Sequence, residues 1–281
     1  DENQPENHVS SVIHLKKESK FSSQNFFLSD GDGYPLFSKY ILGESLFSIT
    51  YNNPDGQQLV IRYYNQDFPI AKPPFATEKN VTYSFEPDSF YTVVLDAGIS
   101  PLLELPYQGI YHIQADQAQP EGLTLFRFDN GFPEVTIPAM ALAPLRYLTT
   151  EREFEHLLSY RDYKVAVDSF WLERASYDPG RAKNMIKKFY QRVEDVNSLF
   201  SSYQEGWKTD RGLLYIIYGP PSEVYRKDGE EEWIYGERGN PMSIRFYFNQ
   251  VDNPFTSNDY SLQRSSVYKT SWYIAVENWR R

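Results

Sequence analysis

EGWKTDRGLLYIIYGPP, residues 205–221, is the stretch on which the fold turns. Gly206 is read as the positive-φ residue that ends a preceding helix. Trp207 follows as a large apolar anchor. Thr209 and Asp210 can turn their oxygens onto nearby backbone amides, and Arg211 pairs with Asp210 or another acid. Gly212 permits close approach of another part of the chain. LLYIIY, 213–218, is apolar on both faces, as a central strand covered on both sides would be. Gly219-Pro220-Pro221 then stops it. On this reading GWKTDRG is an architectural corner joining a helix to a central strand. The alternative is a polar site at the mouth between helices and sheet, carried by Asp210 and Arg211.

Outward from the corner the grammar is mixed. Upstream, Thr150-Glu151-Arg152-Glu153 has the form of a capping box, and Phe154, Leu157 and Leu158 follow at helical spacing. A second helical segment runs through Tyr163–Ala175. A third begins at Asp178-Pro179 and ends near Tyr203. It carries Met185, Phe189, Val193, Val196 and Phe200 on one face, widened by Ile186 and Tyr190, as a helix packed on a sheet needs. Downstream, EEWIYG (231–236) and MSIRFYFN (242–249) read as strands. SVYKTSWYIAVENWRR (266–281) closes as a helix with Trp272, Val276 and Trp279 close to one face. All five tryptophans fall in this second half.

Residues 1–140 read differently. SLFSITYN (45–52) alternates Phe47, Ile49 and Tyr51 against Leu46, Ser48 and Thr50. LVIRYYN (59–65), NVTYSFE (80–86), FYTVVLDAG (90–98), GIYHIQAD (109–116) and LTLFRFDNG (123–131) follow. NNPDG, AKPPF, EPDS and AQPEG between them supply turn chemistry. Short strands at this spacing predict an antiparallel β-sandwich of immunoglobulin-like size. PEVTIPAMALAPLRYLTT (133–150) is read as an extended connector, because Pro133, Pro138 and Pro144 interrupt any regular element. The predicted class is α+β and multidomain: a sandwich over 1–140, then a helix-plus-antiparallel-sheet domain over 141–281.

The 281 residues are 41% hydrophobic and 17% aromatic, which excludes a disordered chain. No apolar run approaches the roughly 20 residues that span a bilayer. The opening DENQPENHVSS lacks the pattern of a signal peptide and fits a mature or trimmed product. With no cysteine, disulfides, thiolate nucleophiles and cysteine–metal sites are ruled out. Trimming just after a lipid-bearing cysteine would leave such a chain. The net charge of −10 lies in the first half: residues 1–144 carry 18 acids against 8 Lys and Arg, the remainder 20 against 20. With no basic stripe there, nucleic acid is not an expected partner.

Catalytic and metal motifs are not found. His8, His14, His112 and His156 make no i, i+4 pair, and P-loop, dinucleotide and nucleophile-elbow patterns are missing. SDGDGY (29–34) begins like a calcium loop, but its twelfth position, counted from Asp30, is Ile41 rather than an acid, so it is read as a turn. No metal and no cofactor is expected. Glu230-Glu231-Glu232 beside Arg226-Lys227 is read as a solvated hairpin. Asp210, Glu232 and Glu237 are the carboxylates an enzyme reading would need.

Gly206-Trp207-Lys208-Thr209-Asp210 resembles the pentapeptide that names the GWxTD-domain family of bacterial proteins. RGLLYIIYGPPSEV and EEWIYG after it, LRYLTTEREFEHLLSY and RAKNMIKKFYQRVEDVNSLF before it, and the closing WYIAVENWRR resemble that domain too, over roughly residues 145–281. The resemblance implies an exported, cell-envelope protein, in the periplasm or at the outer membrane, lipid-anchored if a cysteine precedes it. It implies no established activity. A looser likeness is to small outer-membrane assembly lipoproteins of the SmpA/OmlA type: a strand ending in Gly-x-Pro (Gly219, Pro221), then a Trp-x-Tyr strand (Trp233, Tyr235). The resulting expectation is a non-catalytic envelope protein binding other envelope proteins, with Trp207, Thr209, Asp210, Arg211, Gly219, Trp233 and Tyr235 as candidate, mainly architectural, site residues. A glycan-binding accessory protein and a carboxylate-based enzyme are the alternatives.

Overall fold

The computed structural model describes residues 21–53, 57–65, 68–77 and 85–281. His8, His14, the end of the NNPDG turn and most of the expected strand at 80–86 lie outside them. Among the described residues the protein is α+β, with three antiparallel sheets and six α-helices.

β1 (Phe26–Asp30), β2 (Pro35–Leu36) and β3 (Phe47–Tyr51) form one sheet in the order β2-β1-β3. β4 (Gln58–Tyr64), β5 (Ser89–Val94), β6 (Gly109–Gln114) and β7 (Leu123–Arg127) form a second in the order β5-β4-β6-β7. The first two strands flank SDGDGY, which is the turn between them: the Asp30 carboxylate accepts from the amides of Asp32 and Tyr34. Alternation buries Phe47, Ile49 and Tyr51 of β3 against Leu59, Ile61, Tyr111, Ile113 and Leu125 of the second sheet. Part of the opposite face of that sheet is buried as well, while its β5 edge, with Phe90 and Val94, is exposed. Tyr64, Ile110 and Phe126 pack there with Phe255 from far along the chain. A sheet covered on both sides needs apolar residues on both, and β4 and β6 supply them.

The connector is not extended. α1 (Pro138–Leu142) and a 3-10 helix, Ala143–Leu148, occupy it. Each proline stands in the first turn of its element, where no intrahelical amide bond is due, so neither breaks it.

Beyond it come α2 (Glu151–Leu158), α3 (Tyr163–Arg174), α4 (Pro179–Phe200), α5 (Asp210–Tyr218) and α6 (Lys269–Arg280). β8 (Glu223–Lys227), β9 (Glu230–Tyr235), β10 (Ile244–Gln250) and β11 (Tyr260–Leu262) form the third sheet, in the order β11-β10-β9-β8. The expected central strand 213–218 is therefore a helix. α5 packs against α4, α6 and β11, and Leu213, Leu214, Ile216 and Ile217 are all buried. A helix enclosed on several sides loses its amphipathic period, and a short apolar run then reads equally as strand. Helices and sheet share one core that takes in all five tryptophans.

Residues 68–77 lie across this core although they belong in sequence to the first half. Ile70, Ala71 and Phe75 pack on it. The Ala71 amide donates to the Lys208 carbonyl at 2.8 Å, and the Pro74 carbonyl accepts from the Ser265 amide at 3.0 Å.

Candidate functional site

The corner after α4 is built by backbone contact. α4 ends at Phe200, with Ser201 already extended. Gly206 does not have the positive φ expected of it. It is glycine because a Cβ there would lie 1.8 Å from the Val196 carbonyl oxygen, and one on Gly212 would lie 1.9 Å from the Gly206 oxygen. Helix, corner and α5 are thus pressed backbone to backbone.

Trp207 fills the angle. Its carbonyl accepts from the Tyr147 hydroxyl at 2.8 Å, and its amide donates to Asn197 Oδ1 at 3.2 Å. Asn197, fully buried, also donates to the Pro133 carbonyl at 3.0 Å. Thr209 is the N-cap of α5: its hydroxyl donates to the Gly206 carbonyl at 2.8 Å and accepts from the Gly212 amide at 3.1 Å. That single oxygen closes the corner and opens the helix.

Asp210 and Arg211 do not pair with each other. Asp210, in the first turn of α5, takes both arms of Arg264, at 2.5 and 3.0 Å, and the Leu262 amide at 2.7 Å. A carboxylate here also suits the helix dipole. Arg211 points the other way, into the core. It contacts Glu231 at 3.4 Å, and donates to the Asn258 carbonyl and side-chain oxygen at 2.7 and 2.6 Å. Its guanidinium lies over Tyr260 at 4.3 Å and Phe200 at 5.0 Å. Burial pulls the Arg211 pKa below its ordinary value, and Glu231 opposes that pull.

Glu231 corrects the hairpin reading. It is 2% exposed and also binds Arg226, at 3.1 Å, and the Trp233 indole nitrogen. The signal was its spacing: in a strand, residues two apart share a face, so a core Trp233 takes Glu231 inward with it. Glu232 points outward to Arg245 at 3.5 Å. Arg264, Asn197, Asn258 and Tyr147 carry no local signal, because their roles arise only once distant segments meet.

The other candidates belong to the same core. Gly219 ends α5 at φ 91°, and its carbonyl accepts from the Tyr235 hydroxyl at 2.9 Å. The Gly-x-Pro of the lipoprotein likeness thus follows a helix here, not a strand. Trp233 packs between Phe200 and Phe248, its ring tilted against both, with centroids 5.4 and 5.1 Å away. Burial raises the Tyr235 pKa well above its ordinary value. His112, buried in β6, contacts Thr124 Oγ1 at 2.9 Å and the Pro120 carbonyl at 3.1 Å; desolvation lowers its pKa to about 4, keeping it neutral. No group of three or more metal-binding side chains gathers among the described residues, and no helix there is long and apolar enough to cross a membrane.

Clefts adjoin the core among the described residues. One, about 350 Å³, is lined by Trp207, Phe132, Val135 and Met140, with Glu205 and Lys208 at its edge. Another, about 680 Å³, is polar and lies between the second and third sheets, beside Thr124, Asp228, Glu230, Asn249, Asp252 and Asn253.

The family model of the GWxTD domain matches residues 109–281. The match begins at the first residue of β6, upstream of the start near residue 145 that the sequence resemblance implies. Comparison with curated proteins and with solved structures returned no match.

Proposed function

Because the chain belongs to the GWxTD-domain family, we propose that it is a non-catalytic cell-envelope protein that recognises other proteins. One observation carries this reading. Thr209, Asp210 and Arg211, the polar residues of the naming motif and its neighbour, spend their hydrogen-bonding capacity inside the fold. Such residues build a scaffold, and recognition then falls to the surfaces the scaffold holds. The common core of the first two sheets supports an immunoglobulin-like sandwich ahead of the helical part, an architecture suited to presenting an interaction module. On this proposal the protein works in the periplasm or at the outer membrane, tethered by a lipid if a modified cysteine precedes it.

The test is affinity isolation from native envelope membranes after in situ crosslinking. A stoichiometric protein partner is expected. If nothing crosslinks while oligosaccharides bind saturably, the second reading replaces the first. The polar cleft of about 680 Å³ favours that second reading, a glycan-binding accessory protein. Exposed tyrosines such as Tyr34, Tyr107 and Tyr177 also speak for it; against it, every tryptophan is at most 8% exposed and none offers a platform for a sugar ring.

A further inference from the structure

α4 carries its charges in an order its own helix does not favour. Residues 179–193 hold Arg181, Lys183, Lys187, Lys188 and Arg192 and no acid, in a chain of net charge −10. A cation in the first turn of a helix faces the positive end of its dipole and weakens it. Arg181 stands at the third helical position, where that conflict is strongest. Arg181, Lys183 and Lys187 have no acid within ion-pair distance among the described residues; the Asp178 carboxylate caps the same helix start, but through the Gly180 and Arg181 amides, at 2.8 and 3.1 Å. The fold does call for Arg192, whose guanidinium donates to the Ile216 and Ile217 carbonyls at 2.8 and 3.3 Å, but not for Arg181, Lys183 or Lys187.

The cations are arranged around a groove. Arg181, Asn184, Lys188 and Arg192 recur at three- and four-residue intervals, so they lie along one side of α4. That side faces α6, and two adjoining clefts of about 390 and 280 Å³ run between the helices. Arg281 and Asn278 of α6 form the far wall. The floor is Met185 and Trp279; Lys188 lies 5.5 Å and Arg192 4.9 Å from the Trp279 ring centre. The two clefts together are lined by four cations and no acid.

We infer that this α4–α6 groove binds an acidic, extended segment of a partner protein, with carboxylates on the cations and an apolar side chain over Met185 and Trp279. The inference rests on the protein-recognition reading above and names the partner's chemistry. From Arg181 to Arg192 the helix rises about 16 Å, the span of about five extended residues. The two amides, Asn184 and Asn278, suit a peptide backbone, which offers donors and acceptors together. A membrane surface fits less well: its binding side chains must protrude, whereas Trp279 is recessed to 7% exposure.

The experiment is fluorescence anisotropy of a labelled peptide of alternating Glu and Leu, titrated with the full chain. A control peptide carries Gln in place of Glu. The Glu peptide should bind saturably, and more weakly as salt rises. The pair Arg181→Glu and Lys188→Glu should weaken it at least about tenfold. Arg181→Glu alone should hold or raise the melting temperature, because an acid in the first turn of α4 suits the dipole; a merely structural role of Arg181 would lower it. The milder Arg181→Gln with Lys188→Gln guards against misfolding and should show the same direction of loss. Equal affinity for both peptides, no saturable binding, or binding unmoved by charge reversal would overturn the assignment. So would co-sedimentation with phosphatidylglycerol vesicles that the Glu peptide fails to displace, or a dimer of this chain that charge reversal dissolves. If crosslinking captures the same partner with wild-type and charge-reversed chains, the groove assignment fails while the recognition reading stands. If neither chain captures any partner, the recognition reading itself fails.

Discussion

At the scale of single residues, the corner concentrates its energy in Trp207 and in the Arg211–Glu231 pair. Trp207 is buried between Tyr147, the connector and α4. Trp207→Ala should therefore cost about 3–5 kcal/mol, as large buried truncations do, read as a lower urea midpoint. Glu231→Gln should cost on the order of 3 kcal/mol, because it removes the ion-pair partner of the buried Arg211 guanidinium and leaves only Asp259 to offset its charge. Glu232→Gln, one residue on and facing solvent and Arg245, should stay within about 0.5 kcal/mol. Equal effects from the two glutamates would refute the inward placement of Glu231. A Trp207→Ala chain with native stability and lost partner binding would turn the corner into a recognition surface.

At the scale of elements, α2 shows how a local signal is reused for long-range assembly. Thr150 and Glu153 form the capping box read from the sequence. The same Glu153 carboxylate also binds Arg280 of α6 at 2.7 Å and Arg174 of α3 at 3.2 Å. The Arg280 hydrogen bond is the main reason its pKa falls from 4.5 to about 2. A lowered carboxylate pKa gives stability that is whole above pH 4.5 and lost as pH falls toward about 2. Melting curves of wild type and Glu153→Gln should thus differ above pH 4.5 and converge near pH 2. A gap independent of pH would remove the ionised clamp. The elements legible in the sequence are those with one wet face. β3 alternates, and α2 and α4 announce their starts by capping residues and a one-sided stripe. α5 was illegible because burial on several sides erased its period. Its start was nonetheless written in Thr209-Asp210, a cap followed by a first-turn acid, which the apolar run after it overshadowed. β1 and β2 are short, five and two residues, and flank a strong turn signal, so neither shows an alternation long enough to mark a strand. The Arg264 clamp on Asp210 depends on a meeting of chain segments 54 residues apart, and no local pattern encodes that.

At the scale of the whole molecule, the two halves are not beads on a string. Residues 68–77 leave β4, cross the C-terminal core, and the chain then returns to place β5 beside β4. Residues 141–281 retain nearly all of that core, so alone they should still melt cooperatively. Without Ile70, Ala71, Phe75 and the bonds to Lys208 and Ser265 they should melt lower, by roughly 5 °C or more. A calorimetric scan decides: an unchanged midpoint would make the crossing segment ornamental, and no transition would make the halves inseparable. The crossing also governs how the protein carries load. Tension between the first sheet and α6 cannot simply draw the halves apart. It must shear the Ala71–Lys208 and Pro74–Ser265 bonds while dragging Phe75 off Tyr273, whose ring centre lies 5.5 Å away, so a protein pulled from its two ends would behave as a stiff strut rather than a hinge.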